Sequence, residues 1–318
     1  MKSQRFTSIK TPLAPTDQTT NIARQGVLLG ITAYMIWGSF PVFFKALEGA
    51  TPIEIVCHRI TWSAAFLFVL VSARRQLPKI WGSVLDRSIL LTLCGSTLLI
   101  ATNWLVFLFA IQRDEVLQSS LGYFMTPLVS VFLGFVFLRE RLTFWQSSSV
   151  LFAFVGVLNL TFYQGQFPWI ALTLAISFSL YGLLRKLAKV ESMIGLTVET
   201  LLLAPISLAY LVYLSYQQQG AFLSGSPQLN LLLPVSGVVT AIPLLLFVGA
   251  ARRLRLSTIG FLQYITPSMH FILAVGLYGE PFSRSHLFSF LFIWAGLGIY
   301  SVDAILHNTR ADKENQCV

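Results

Sequence analysis

Ten stretches of about 20 residues with almost no charge fill most of the 318-residue chain. They lie at 26–46, 53–72, 88–111, 116–138, 143–163, 168–187, 194–215, 228–250, 256–278 and 284–306, with no room for a soluble domain between them. Crossing the hydrocarbon core of a bilayer takes roughly 20 apolar residues. Backbone groups find no water there, so each stretch must satisfy its own hydrogen bonds as a helix; membrane strands would alternate in polarity and run to only ~10 residues. At 55% hydrophobic and 11% charged residues, the chain has too little polar surface for water. The expected fold class is an all-α membrane protein with ten transmembrane helices.

A net charge of +9 could mark a nucleic-acid partner, but the distribution of the cations excludes it. With the N-terminus placed in the cytoplasm, Lys2, Arg5, Lys10, Arg24, Arg74, Arg75, Lys79, Arg87, Arg139, Arg141, Arg185, Lys186, Lys189, Arg252, Arg253, Arg255, Arg310 and Lys313 all fall on the inner side. Lys45, Arg113 and Arg284 fall outside, and Arg59 falls within a span. That alternation from loop to loop is the positive-inside pattern, with both termini cytoplasmic. Residues 1–25 lack an apolar core and read as a polar cytoplasmic extension, not a cleaved signal; 307–318 read as a cytoplasmic tail. Cys57, Cys94 and Cys317 show no Cys-x-x-Cys spacing, so neither a disulfide framework nor a zinc site is expected. No Gly-x-x-x-x-Gly-Lys loop is present, so ATP is not expected as the direct energy source, and no cofactor is expected.

The chain also contains itself twice. At an offset of 140, Leu105 falls on Leu245, Phe107 on Phe247, Ala110 on Ala250, Pro127 on Pro267, Glu140 on Glu280, Ser149 on Ser289, Phe152 on Phe292 and Gly156 on Gly296. A looser match pairs Trp37-Gly38 with Tyr181-Gly182 and Glu54 with Glu199. The halves are 26–163 and 168–306, each with five spans. Five is odd, so the second half enters from the opposite side and the two are expected to be inverted repeats around a central site. Pro127 and Pro267 then sit near the middles of spans four and nine, as matched bend points for alternating access.

Charge inside a span costs ~2.5–3.5 kcal/mol on insertion scales, so the few such residues draw functional readings. Glu54, His58 and Arg59 lie on span two and Glu199 on span seven, its counterpart. Arg59 is expected to recognise an anionic or polar solute group, and Glu54, His58 or Glu199 to change protonation. The competing reading is a set of satisfied ion pairs holding helices together. Trp37, Asn103, Trp104, Gln263 and Tyr264, with Tyr34 and Tyr123, are candidates for a polar and aromatic cage. His270 is expected to be packed or hydrogen-bonded. Glu140, between two arginines, and Glu280, near Arg284, are expected in solvated salt bridges, with a gate latch as the sharper alternative. Small residues around Ser149, Ala153, Gly156, Ser289, Ala295 and Gly296 imply close helix contact.

Trp37-Gly38, His58-Arg59, Asn103-Trp104, Leu121-Gly122-Tyr123-Phe124, Tyr181-Gly182-Leu183, the run Arg253-Leu254-Arg255-Leu256-Ser257-Thr258 through Pro267, and Tyr278-Gly279-Glu280 together resemble the RarD branch of the EamA transporters. Those belong to the drug/metabolite transporter superfamily. The resemblance covers about residues 24–306 and implies a bacterial inner-membrane permease, multi-pass, built of two inverted five-helix repeats. The implied function is secondary transport, with efflux of small metabolites or drugs by alternating access and proton coupling left open. Its partners would be a small solute, the lipid bilayer and, if coupled, protons. The alternatives are a membrane-embedded enzyme acting on lipid-borne substrates, against which no His-Glu-x-x-His or clustered aspartates appear, and a non-transporting subunit.

Overall fold

The structure is a computed structural model, and it describes residues 17–138, 142–164, 167–188, 190–223, 226–251, 253–254 and 262–316. Among these residues the secondary structure is helical throughout. The helices are α1 (Asp17–Gly38), α2 (Phe40–Lys45), α3 (Pro52–Ala73), α4 (Leu77–Leu85), α5 (Arg87–Gln112), α6 (Val116–Leu138), α7 (Phe144–Gln164), α8 (Trp169–Leu187), α9 (Ser192–Tyr216), α10 (Pro227–Ala251), α11 (Ile265–Ile272) and α12 (Arg284–Gln316). Seven apolar segments are long enough to cross a membrane, and three shorter ones, Phe144–Asn159, Trp169–Arg185 and Ile265–Leu277, fall on the remaining expected spans. Glu140 and Ser257 lie outside the described residues.

Helix starts follow local chemistry. The Thr51 side chain accepts from the Glu54 N–H ahead of Pro52, and the Asp86 carboxylate accepts from the Ser88 and Ile89 N–H groups at the start of α5. In the helix pairs that follow, α7 lies along α12, α6 and α5 against α8, α3 between α9 and α10, and α1 against α10 and α11. Two contacts are reciprocal across the offset of 140. A Cβ on Gly156 would lie 3.0 Å from the Ser289 carbonyl oxygen and one on Gly296 would lie 2.8 Å from that of Ser149, with the Phe152 and Phe292 rings 5.9 Å apart between them. The α7 and α12 backbones approach so closely only because both positions lack a side chain.

The loops gather at two ends. At one, Lys45 pairs with Asp114, the Gln112 amide donates to the Ala50 carbonyl at 2.8 Å, and Glu280 reaches the start of α6. At the other, Lys79 pairs with Glu191 at 2.7 Å, while Thr143 and Gln146 donate to Asp303. Helix α6, with 23 residues, is about 35 Å long and connects the two ends.

Three details depart from the sequence expectation. The first span breaks at Ser39, because Pro41 carries no N–H for the Trp37 carbonyl one turn earlier; the His270 Nε2 takes that acceptor at 3.2 Å. The connection at 73–87 folds as the short helix α4, opened by Pro78, with Trp81 and Leu85 exposed along it. The described part of the ninth span is a broken element: α11 passes into a π-helical segment, Leu273–Leu277. Pro267 therefore sits in the first turn of α11, where a missing N–H deprives no helical bond, whereas Pro127 is interior to α6.

Candidate functional site

Helix α3 packs so tightly on α10 that a Cβ on Gly237 would lie 2.6 Å from the Ser63 nitrogen, and the Ser63 hydroxyl donates to the Gly237 carbonyl at 3.0 Å. That approach brings Arg59 under α10. Its Nε donates to the Thr240 hydroxyl oxygen at 2.7 Å, and Thr240 in turn donates to the Ser236 carbonyl. The guanidinium lies over Trp104, Phe44 and Phe40, its carbon 4.3, 5.1 and 5.5 Å from the ring centroids. Aromatic faces hold a desolvated cation with about 2 kcal/mol or more, which offsets part of the cost of burial.

Arg59 is 3% exposed, and among the described residues no carboxylate stands within 4 Å of it. Its Nη1 has no hydrogen-bond partner. Buried arginines are ordinarily paired, so a rigidly held guanidinium with a spare donor is chemically equipped to receive a carboxylate, phosphate or other oxyanion in its fork geometry.

The other sequence candidates do not converge on Arg59 through direct polar contact. Glu54 accepts from the Ala221 and Phe222 N–H groups at 2.7 and 3.2 Å. The His58 ring packs 4.8 Å from that of Phe222, and its Nδ1 accepts from Trp62 Nε1. Glu199 accepts from the Ser96 hydroxyl at 2.6 Å and the Tyr181 hydroxyl at 3.3 Å, with Arg185 Nε 3.8 Å away. Asn103 donates to the Leu174 carbonyl and Ser177 on α8 and accepts from the Tyr123 hydroxyl, so its amide is used in joining α5, α6 and α8.

Of the expected aromatic cage, Trp104 reaches Arg59. Trp37 packs on Tyr34 and Phe247. Tyr264 faces another way, lining an apolar groove of about 480 Å³ with Phe124, Phe271, Trp294 and Leu297; Gln263 occupies the turn before it. Phe40, Phe44 and Thr240 complete the Arg59 site and were not singled out from the sequence. Their signal was faint: two phenylalanines one helical turn apart on either side of Pro41, and one threonine in an apolar helix. Glu280, expected in solvent, is 7% exposed; its oxygens accept from the Val116 and Leu117 N–H groups at 2.7 and 2.8 Å.

The EamA-like transporter family model matches residues 24–162. Protein RarD of Salmonella typhi is 44% identical over 282 residues, covering 89% of this chain and 96% of its own length. Protein RarD of Escherichia coli K12 is 42% identical over 290 residues, 91% of this chain and 98% of its own. An uncharacterized transporter of Vibrio cholerae is 44% identical over 283 residues, 89% of this chain and 94% of its own. A protein known from a crystal structure, 18% identical, aligns with a TM-score of 0.55 over 88% of this chain and 97% of that one, a likeness of fold.

Proposed function

The chain belongs to the EamA-like transporter family, in its RarD-type group, and is a multi-pass membrane transporter; from that premise we propose that it moves a small organic anion out of the cell by alternating access, with Arg59 as the solute's anchor. The observation that carries this reading is the buried guanidinium held by Thr240 and three aromatic rings with Nη1 unpartnered. A site built to be satisfied by solute leaves a donor open in its absence.

The architecture we propose is ten transmembrane helices in two inverted five-helix repeats, 26–163 and 168–306. Supporting it, the pairings swap between halves: α1 packs on α10 and α11 as α8 packs on α5 and α6, and the α7–α12 contacts are reciprocal. Glu280 stands at the Val116 end of α6, about a helix length from Leu138, which is the arrangement an inverted pair requires. On this reading the Glu280 end is outside and the Lys79 end is inside. We assign proton coupling to Glu199, a buried carboxylate held by two hydroxyls. The outward direction rests on the resemblance to exporters.

Counterflow in proteoliposomes with a panel of carboxylate-bearing, cationic and neutral solutes, with a pH gradient imposed and removed, tests the proposal. Arg59→Ala should abolish flux of the anions, and Arg59→Lys should reduce it at least tenfold, with insertion intact. Unchanged anion flux in Arg59→Ala overturns the anchor. Glu199→Gln should leave flux indifferent to the pH gradient, and everted against right-side-out vesicles decide the direction.

A further inference from the structure

Two carboxylates close the same end of the bundle by reaching across it in opposite senses. Glu280 comes from the second half of the chain and binds the backbone N–H groups of Val116 and Leu117 in the first, at 2.7 and 2.8 Å. Glu54 comes from the first half and binds those of Ala221 and Phe222 in the second, at 2.7 and 3.2 Å. Both side chains are buried, at 7% and 2% exposure. Val116 and Leu117 open α6, so the Glu280 carboxylate also meets the positive end of that helix's dipole. Lys45 adds a third link between halves, its ammonium 4.3 Å from the Tyr278 ring centroid.

The other end is held by side chains. There Asp303 accepts from the Thr143 and Gln146 side chains at 3.1 and 3.0 Å and Glu199 from the Ser96 hydroxyl at 2.6 Å, and the ion pair between the halves among the described residues is Lys79–Glu191, with side chains 48% and 46% exposed; exposed pairs contribute little. Buried carboxylates on paired N–H groups are charge-assisted, directional bonds that leave unsatisfied backbone behind when broken. Directly after the Leu273–Leu277 π-helical segment, Gly279 at φ +63° turns the chain so that Glu280 faces α6. The latch thus hangs on an irregular element, where a change of helical register moves it with little disturbance of the packed helices.

We propose that Glu54 and Glu280 form a reciprocal outer gate, each half of the transporter holding the other's backbone, and that both latches must release for the outward-open state. The structure accordingly corresponds to an outward-closed state. This inference rests on the alternating-access reading, and its test uses no solute, so its failure is distinguishable from failure of the Arg59 anchor.

The test is labelling by a membrane-impermeant maleimide in oriented vesicles, with Cys57, Cys94 and Cys317 replaced by serine. Leu117→Cys, buried behind the Glu280 latch, is the reporter, and Gln217→Cys, exposed at the same end, fixes the face and the intrinsic reagent rate. Glu54→Gln and Glu280→Gln should each raise reporter labelling from that face about tenfold, and the double variant should exceed either. A second reporter, Val198→Cys, buried nearly two turns from the start of α9 at the opposite end, should label more slowly from its own face as the population shifts. Parental labelling rates in the double variant overturn the gate. Faster labelling from both faces also overturns it, because that is loosening of the fold and not a shift between two states.

Discussion

The His270 Nε2 lies 3.2 Å from the Trp37 carbonyl oxygen, the acceptor that Pro41 leaves without its helical donor. The carbonyl opposite fixes the proton on Nε2, and Nδ1 faces the Ser119 hydroxyl at 3.5 Å while the ring stacks on Phe107. A histidine in a span is here the repair of a break in another helix. His270→Leu should destabilise by about 1–3 kcal/mol, since it strands a partly buried carbonyl. Thermal unfolding in detergent checks this, and His270→Gln, which can still donate, should recover part of the loss. Equal destabilisation by leucine and glutamine would remove the carbonyl from the explanation.

The same close fit governs the α7–α12 pair. A side chain at Gly296 would meet the Ser149 carbonyl oxygen at 2.8 Å, and one at Gly156 would meet that of Ser289 at 3.0 Å. Gly156→Val and Gly296→Val should each lower stability by about 1–3 kcal/mol through forced separation of the helices. Because both changes push the same two helices apart, the double variant should cost less than the sum of the singles. Melting temperatures of the four proteins measure that coupling. Full additivity would mean the two contacts act independently.

Spans and charge alternation were legible because the bilayer demands long apolar helices from the sequence itself, and an offset of 140 exposed the paired serines and glycines before any contact was known. What stayed hidden depends on where a helix stops. The Ser39 break and the π-helical segment are consequences of one missing N–H and of local packing, and hydropathy is blind to both. Glu54 and Glu280 carried charge, so the sequence marked them, yet their partners are backbone N–H groups of residues that have no side-chain signature. Arg59 was marked for the same reason, while Phe40 and Phe44 were two among 26 phenylalanines.

Trp104 separates packing from recognition at the anchor. The Arg59 guanidinium carbon is 4.3 Å from its ring centroid, closer than to either phenylalanine. Trp104→Phe keeps an aromatic face with a weaker quadrupole, and Trp104→Leu keeps bulk without one. Apparent solute affinity should fall about threefold with phenylalanine and at least tenfold with leucine, by counterflow at varied solute. Equal effects of the two would assign Trp104 to packing alone.

The outer latch should also answer to pH, and the sign follows from burial. Desolvation holds the Glu280 carboxyl above the usual glutamate range; the Leu117 and Val116 N–H groups and Lys45 oppose that shift, and Asp114 adds to it. Tyr278, two residues away beside Lys45 and Glu48, completes the polar surroundings. A carboxyl whose pKa is higher in the latched state than in the released one favours the latched state at low pH, and the advantage is lost as pH rises through the shifted value; the protonated acid still offers oxygens to the Val116 and Leu117 N–H groups, whereas the NH2 of Glu280→Gln sets a donor against one of them, so protonation tightens the latch that the amide loosens. Labelling of the Leu117→Cys reporter, normalised to Gln217→Cys, should therefore be slower at about pH 5 than at about pH 7.5. Glu280→Gln should abolish the difference, since glutamine does not titrate, whereas Glu54→Gln should leave it in place. A pH response that survives Glu280→Gln would move the titrating group elsewhere at this end, with Asp114 and Glu48 the next to replace.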